Sequence, residues 1–246
     1  MIRPRYGGLK HIKRQIAAGD LVNAEAALLS RHESLLATLK SCEVSSDDEA
    51  QIKYRLTLVE TLLGVVASMC ERHDDADDWF ERAHEHFTAF DPIARERMNR
   101  EVATHLARKG QVREAIEMLD HTERSLLNIL KLNQSTLPDE RIELEHAITL
   151  SCKADAMLRV HPVPREAYQE LVEAQRTLRK GNKRLYELDN LMRLVAHTSL
   201  FDRRRASYIA RAMYINETVA RNPAIRLALI DAACGPIPFR RFVQRS

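Results

Sequence analysis

The chain has 246 residues, of which 45% are apolar and 30% charged, and its net charge is +3. This length and balance allow one large core or two small ones and exclude intrinsic disorder. Only 5% of residues are aromatic, Gly and Pro are few, and the four cysteines are scattered, which argues against a strand-rich fold, a disulfide framework and a structural zinc site.

From the N-terminus, Met1 to Gly8 carries charge with no apolar run behind it, so no secretory signal is expected. Residues 1–40 hold seven Lys/Arg against three Asp/Glu, and residues 180–246 hold thirteen against five, leaving a net charge of −9 on residues 41–179. An acidic middle between basic ends implies electrostatically distinct surfaces. Cys42, Cys70, Cys152 and Cys234 read as reduced thiols at buried or half-buried positions of a cytoplasmic protein.

Helix signals then recur along the chain. Ser46 followed by Glu49 fits a capping box, with Asp47 and Asp48 favourable at the positive end of the helix dipole. The helix that follows carries Ile52, Leu56, Val59, Leu63, Val66 and Cys70 on one stripe. Leu62 to Cys70 is the most apolar stretch and falls far short of the ~20 residues that span a bilayer. The acidic run from His73 to Asp78 opens another helix; its carboxylates suit a helix N-terminus, and His73, Asp77 and Glu81 share a face as the competing metal-ligand reading. Trp79-Phe80 follows, with Phe80 at a core position and Trp79 either packed between helices or facing a ligand.

Asp91-Pro92 and Asn222-Pro223 read as N-caps with proline in the first turn. Pro138 and Pro164 mark two further helix starts, and Lys109-Gly110 and Lys180-Gly181 mark helix ends. Together these signals divide the chain into about ten or eleven helices.

Four segments share a spacing. Gly64, Ala76, Phe80 and Ala83 form the clearest unit; Val102, Ala103, Leu106, Gly110, Ala115 and Leu119 form a second; Gly19, Ala24 and Leu28, and Leu158, Ala167, Leu171 and Ala174, are partial copies. The pattern resembles the tetratricopeptide repeat, in which small residues let two antiparallel helices approach and a large residue fills the groove between hairpins. The separations between Ala24, Ala76, Ala115 and Ala167 exceed the ~34 residues of the standard repeat. The resemblance covers roughly residues 10–180 and implies an all-α fold: an α-solenoid of stacked antiparallel helical hairpins. Residues 1–180 would form the repeat body, and residues 181–246 a basic helical region ending in a short extended tail and continuous with that body. Such stacks present an extended concave surface for a peptide or a partner helix.

No glycine-rich phosphate loop, H-E-x-x-H, G-x-S-x-G or EF-hand pattern occurs in the sequence, and neither a catalytic role nor a cofactor is expected. The candidate partner-binding residues are Arg203, Arg204 and Arg205 at a helix start, and Phe239, Arg240, Arg241 and Phe242 in the tail after Pro236 and Pro238. The expected function is a cytoplasmic protein-binding scaffold or adaptor with no membrane segment. Nucleic-acid binding through the clustered arginines is the alternative, and a homo-oligomer stays open. Charge reversal across Arg203–Arg205 is expected to change binding without unfolding the chain, as read by a binding titration alongside circular dichroism.

Overall fold

The computed structural model describes residues 7–40, 45–88, 91, 93–132, 138–161, 163–199 and 202–234. Among them are eleven α-helices and no strand: α1 (Gly7–Ala17), α2 (Leu21–Lys40), α3 (Ser46–Met69), α4 (His73–Glu85), α5 (Ala94–Lys109), α6 (Val112–Leu132), α7 (Asp139–Met157), α8 (Arg165–Lys180), α9 (Arg184–His197), α10 (Arg203–Ile215) and α11 (Pro223–Cys234). A π-helical turn, Asn216–Ala220, follows α10. Two compact units, Met1–Glu101 and Val102–Ser246, divide within α5. None of the described helices is long and apolar enough to cross a membrane.

In the first unit α2 packs on α1 and α3, and α3 packs on α4. In the second, each of α6 to α10 packs on the helix that follows it. Short turns bring chain neighbours side by side in this way. α3 and α7 are the most enclosed helices, each packed closely between the helix before it and the helix after it. Enclosure puts polar side chains inside them, and several of these bond back to their own helix. Thr57 Oγ1 donates to the Lys53 carbonyl at 3.1 Å, Thr61 Oγ1 to that of Thr57 at 2.7 Å, and Thr149 Oγ1 to that of Glu145 at 3.0 Å.

The helix ends follow the sequence signals with shifts of a residue or two. α3 is capped by Ser45, not Ser46: Ser45 Oγ accepts from Asp48 N at 3.3 Å and donates to Asp48 Oδ2 at 2.8 Å. Glu49, the expected box partner of Ser46, pairs instead with Lys53 one turn on, at 2.7 Å. Asp91 Oδ1 accepts from Ile93 N at 3.2 Å and Asp91 pairs with Arg97 at 2.9 Å; the helix proper begins at Ala94, and Pro92 lies outside the described residues. Asn222 caps α11 as read, accepting from Ala224 N at 3.0 Å and Ile225 N at 3.4 Å. Cys70 corrects the thiol expectation. It is exposed, because it is the C-cap of α3, just past the enclosed turns. Cys152 is half-buried, whereas Cys42 and the side chain of Cys234 lie outside the described residues.

The shared spacing has a physical basis. Ala24, Ala76, Ala115 and Ala167, on α2, α4, α6 and α8, are all 0% exposed. Four residues on, Leu28, Phe80, Leu119 and Leu171 are buried; eleven on, so are Leu35, Leu126 and Leu178. The small residue admits the neighbouring helix, and the larger ones fill the space beside it. Gly64 and Phe80 show a close fit: a β-carbon on Gly64 would lie 2.9 Å from the Phe80 ring. The two glycines expected at helix ends differ. Gly110 takes a left-handed φ of 93°. Gly181 does not, and Asn182 takes that conformation instead at 53°; a β-carbon on Gly181 would meet Leu144 Cδ1 at 2.7 Å.

Each unit also holds a charge cluster, buried in the first and half-buried in the second. In the first, the fully buried Glu60 carboxylate of α3 meets His32 Nε2 of α2 at 2.9 Å and His86 Nδ1, just past α4, at 3.0 Å. Trp79 stands edge-on to His32, with ring centroids 5.2 Å apart, and Arg82 covers it at 4.7 Å; it is thus partly buried against the core of this unit. In the second, Lys153 of α7 reaches Asp120 at 2.8 Å and Glu123 at 2.9 Å on α6, and Glu170 at 2.9 Å on α8. His146, 3.5 Å away, together with Lys153 holds the Glu123 carboxyl down to about 2 against the opposing effect of burial. Burial pushes the Glu170 carboxyl up, opposed by Lys153, which it shares with two other carboxylates.

Two outcomes are expected. Gly64→Ala gains about 1 kcal/mol of helix propensity, yet overpacking against a buried ring costs about 1–3 kcal/mol; thermal melts should therefore show net loss. A depressed carboxylate stabilises the fold above its unfolded value and loses that contribution as pH falls through the folded one. Glu123 should thus make the protein lose stability from about pH 4.5 down to about pH 2. Urea titrations at stepped pH should show a flatter acid limb for Glu123→Gln. Glu170→Gln should cost less at neutral pH than Glu123→Gln does.

Candidate functional site

α8 starts after Pro164 and turns Ala167, Leu171, Ala174 and Leu178 inward. These offsets of three and four leave the opposite face, including Gln169, Glu173 and Arg176, exposed. α10 starts where Asp202 Oδ1 accepts from Arg204 N at 2.8 Å, and it buries Ile209, Ala212 and Ile215. Tyr168, Gln169, Val172, Glu173 and Arg176 of α8, with Arg204 of α10, line an open cavity of about 380 Å³. Tyr168 and Val172 are half-buried and give it an apolar floor. Tyr208, one turn after Arg204, packs with Tyr168 against Leu171 and Leu194, and burial pushes its hydroxyl up.

α9 holds the two walls together. Its Glu187 carboxylate, 0% exposed, accepts two hydrogen bonds from Arg211 of α10 at 2.9 and 3.0 Å and one from Gln175 of α8 at 3.3 Å. Asn190 Nδ2 donates to the Leu171 carbonyl at 2.9 Å and to Gln175 Oε1 at 3.0 Å. A buried carboxylate requires this degree of pairing, so the spacing of α8 and α10 is set from beneath by α9.

The three consecutive arginines have different environments, since successive residues on a helix point about 100° apart. Arg203 and Arg204 are exposed, and neither side chain forms an ion pair among the described residues. Arg205 is half-buried; its Nη1 donates to the carbonyls of Val195 at 2.6 Å and Thr198 at 2.7 Å, closing the C-terminal end of α9. Phe239, Arg240, Arg241 and Phe242 lie outside the described residues.

Arg176, Tyr168 and Val172 were not singled out in the sequence. The available signal was that they stand off the buried stripe of α8. A second basic position lies farther along α10, where the half-exposed Tyr214 has Arg184 at 5.9 Å and Arg211 at 5.7 Å from its ring centre. At the acidic run, Asp74 and Asp75 occupy the first turn of α4, and Arg72 pairs with Asp75 at 3.1 Å and Glu25 at 2.6 Å. Among the described residues no group of three His, Cys, Asp or Glu is placed to hold a metal ion.

Compared with protein-family profiles, with curated proteins and with solved structures, the chain matches none of them.

The arginine geometry sets an expectation. Arg205→Ala removes two hydrogen bonds to carbonyls at the end of α9 and should cost about 1–3 kcal/mol of stability. Arg203→Ala and Arg204→Ala should each stay within about 0.5 kcal/mol. Urea denaturation of the three variants checks the contrast.

Proposed function

We propose that this chain is a non-catalytic adaptor, a tetratricopeptide-like stack of helical hairpins working in the cytoplasm, whose α8–α10 groove receives a peptide or helix of a partner protein. The observation that carries the reading is the groove itself: an apolar floor of Tyr168 and Val172 beside Arg176 and Arg204, two guanidinium groups that form no ion pair among the described residues. Supporting it, the recurring buried alanine with a large residue four positions on is the packing a stack of helical hairpins needs. The second reading, a nucleic-acid-associated factor, draws on the half-exposed Tyr214 between Arg184 and Arg211, since an aromatic ring among arginines is a platform for bases and phosphates.

Affinity capture of the full-length protein from native lysate, with and without nuclease, separates the two. A stoichiometric protein partner that survives nuclease is expected. Loss of every partner on nuclease, with binding that falls steeply as salt rises, would replace the adaptor with the nucleic-acid reading.

A further inference from the structure

We infer that the α8–α10 groove takes an amphipathic, acidic helix, with two carboxylates about two turns apart meeting Arg204 and Arg176 and apolar side chains between them reaching Tyr168 and Val172. The inference rests on the adaptor reading and narrows its partner.

Four features of the site lead to this occupant. First, both walls are α-helices, whose backbone groups past the first turn are already bonded within each helix. An extended peptide lying there would find few main-chain partners and would leave its own backbone unpaired in the groove, whereas a helix satisfies its own. Second, the walls run in the same direction. Near their starts Tyr168 and Tyr208 pack on the same core residues, and farther along Gln175 and Arg211 meet over Glu187. Two aligned helices present a groove into which the side-chain ridge of a third can settle.

Third, the cations are spaced for a helix. Arg211 meets Gln175 over Glu187, so Arg204, seven residues before Arg211, stands about level with Tyr168, seven before Gln175; Arg176 lies eight residues beyond Tyr168, about 12 Å along the axis at 1.5 Å per residue. Carboxylates seven or eight residues apart on a partner helix cover about the same 10–12 Å, and a residue midway between them falls over Val172. Fourth, the free charge is at the two ends. Arg211 is neutralised by Glu187, and Glu173 and Gln169 line the same cavity. Two separated cations with an apolar floor and a carboxylate in the wall match an amphipathic helix; a continuous phosphate backbone calls for an unbroken basic track.

The test uses the full-length protein and a fluorescein-labelled helical peptide of about twenty residues, with leucine on one stripe and glutamates seven apart beside it. Comparison peptides replace the glutamates with lysine or place a proline mid-helix, and a single-stranded oligouridylate serves as the phosphate probe. The protein variants are Arg176→Glu with Arg204→Glu, and Arg113→Glu on the exposed face of α6 as the control; circular dichroism verifies that each folds. The acidic peptide should bind, and its Kd should rise at least about tenfold in the groove variant and stay unchanged in the control. The lysine and proline peptides should bind the unaltered protein at least about tenfold more weakly than the acidic one.

The inference is overturned if the acidic peptide binds no tighter than the lysine or proline peptide, or if the groove variant leaves its affinity unchanged. It is likewise overturned, in favour of a phosphate ligand, if the oligouridylate binds more tightly than the peptide and is lost in the groove variant. A nuclease-resistant partner captured equally well by the groove variant removes the groove as its site and leaves the adaptor reading standing; loss of all captured partners on nuclease removes both.

Discussion

Enclosing a helix on more than one side creates a demand that the rest of each unit is arranged to meet. α3 and α7 are buried around much of their circumference, so the polar side chains they carry must find partners inside the protein. Threonines turn back onto their own helices. The longer groups reach outward: Glu60 to histidines before and after it in the chain, and Lys153 to carboxylates on both flanking helices. Apolar packing brings the helices together, and these polar bridges fix how far along one another they slide. α9 repeats the arrangement on a smaller scale, with Glu187 joining α8 to α10.

The candidate groove follows from the same constraint. An α10 free to shift against α8 would have no fixed relation to Tyr168 or Arg176. The bidentate Arg211–Glu187 pair and the Asn190 bonds to α8 tie both walls to α9. Arg205 adds a third tie, from α10 to the end of α9. The exposed arginines therefore stand on a braced frame, which limits the ordering cost of binding.

Much of the helical architecture was legible because helix signals are local. Asn222-Pro223 begins α11 as read, and Pro138 and Pro164 stand immediately before α7 and α8. The cap of α3 was misread where two neighbours compete for one role. Ser45 and Ser46 are both capable caps, and Asp48 rather than Glu49 closes the turn. Gly181 ends α8 as read, while Asn182 takes the left-handed conformation and Leu144 approaches Gly181. The buried alanines were legible as a spacing, since a close approach restricts residue size at one position in each helix. The site was legible only in part. Three consecutive arginines signal charge, yet the sequence does not say which of the three faces outward. Tyr168, Val172 and Arg176 lie about thirty residues from Arg204, and only the packing of three helices brings them beside it. Likewise no local pattern marks Glu60, whose partners stand 28 residues before it and 26 after.

The Glu60 contact has a consequence for how the first unit opens. One carboxylate is shared between His32 on α2 and His86 just beyond α4, and Trp79 leans on the first of these rings. Releasing either flanking helix strips a buried charge of a partner, so fraying at one side weakens the hold on the other. α2, α3 and α4 should thus open together, with their amides sharing one opening free energy in hydrogen exchange instead of a gradient from the surface inward.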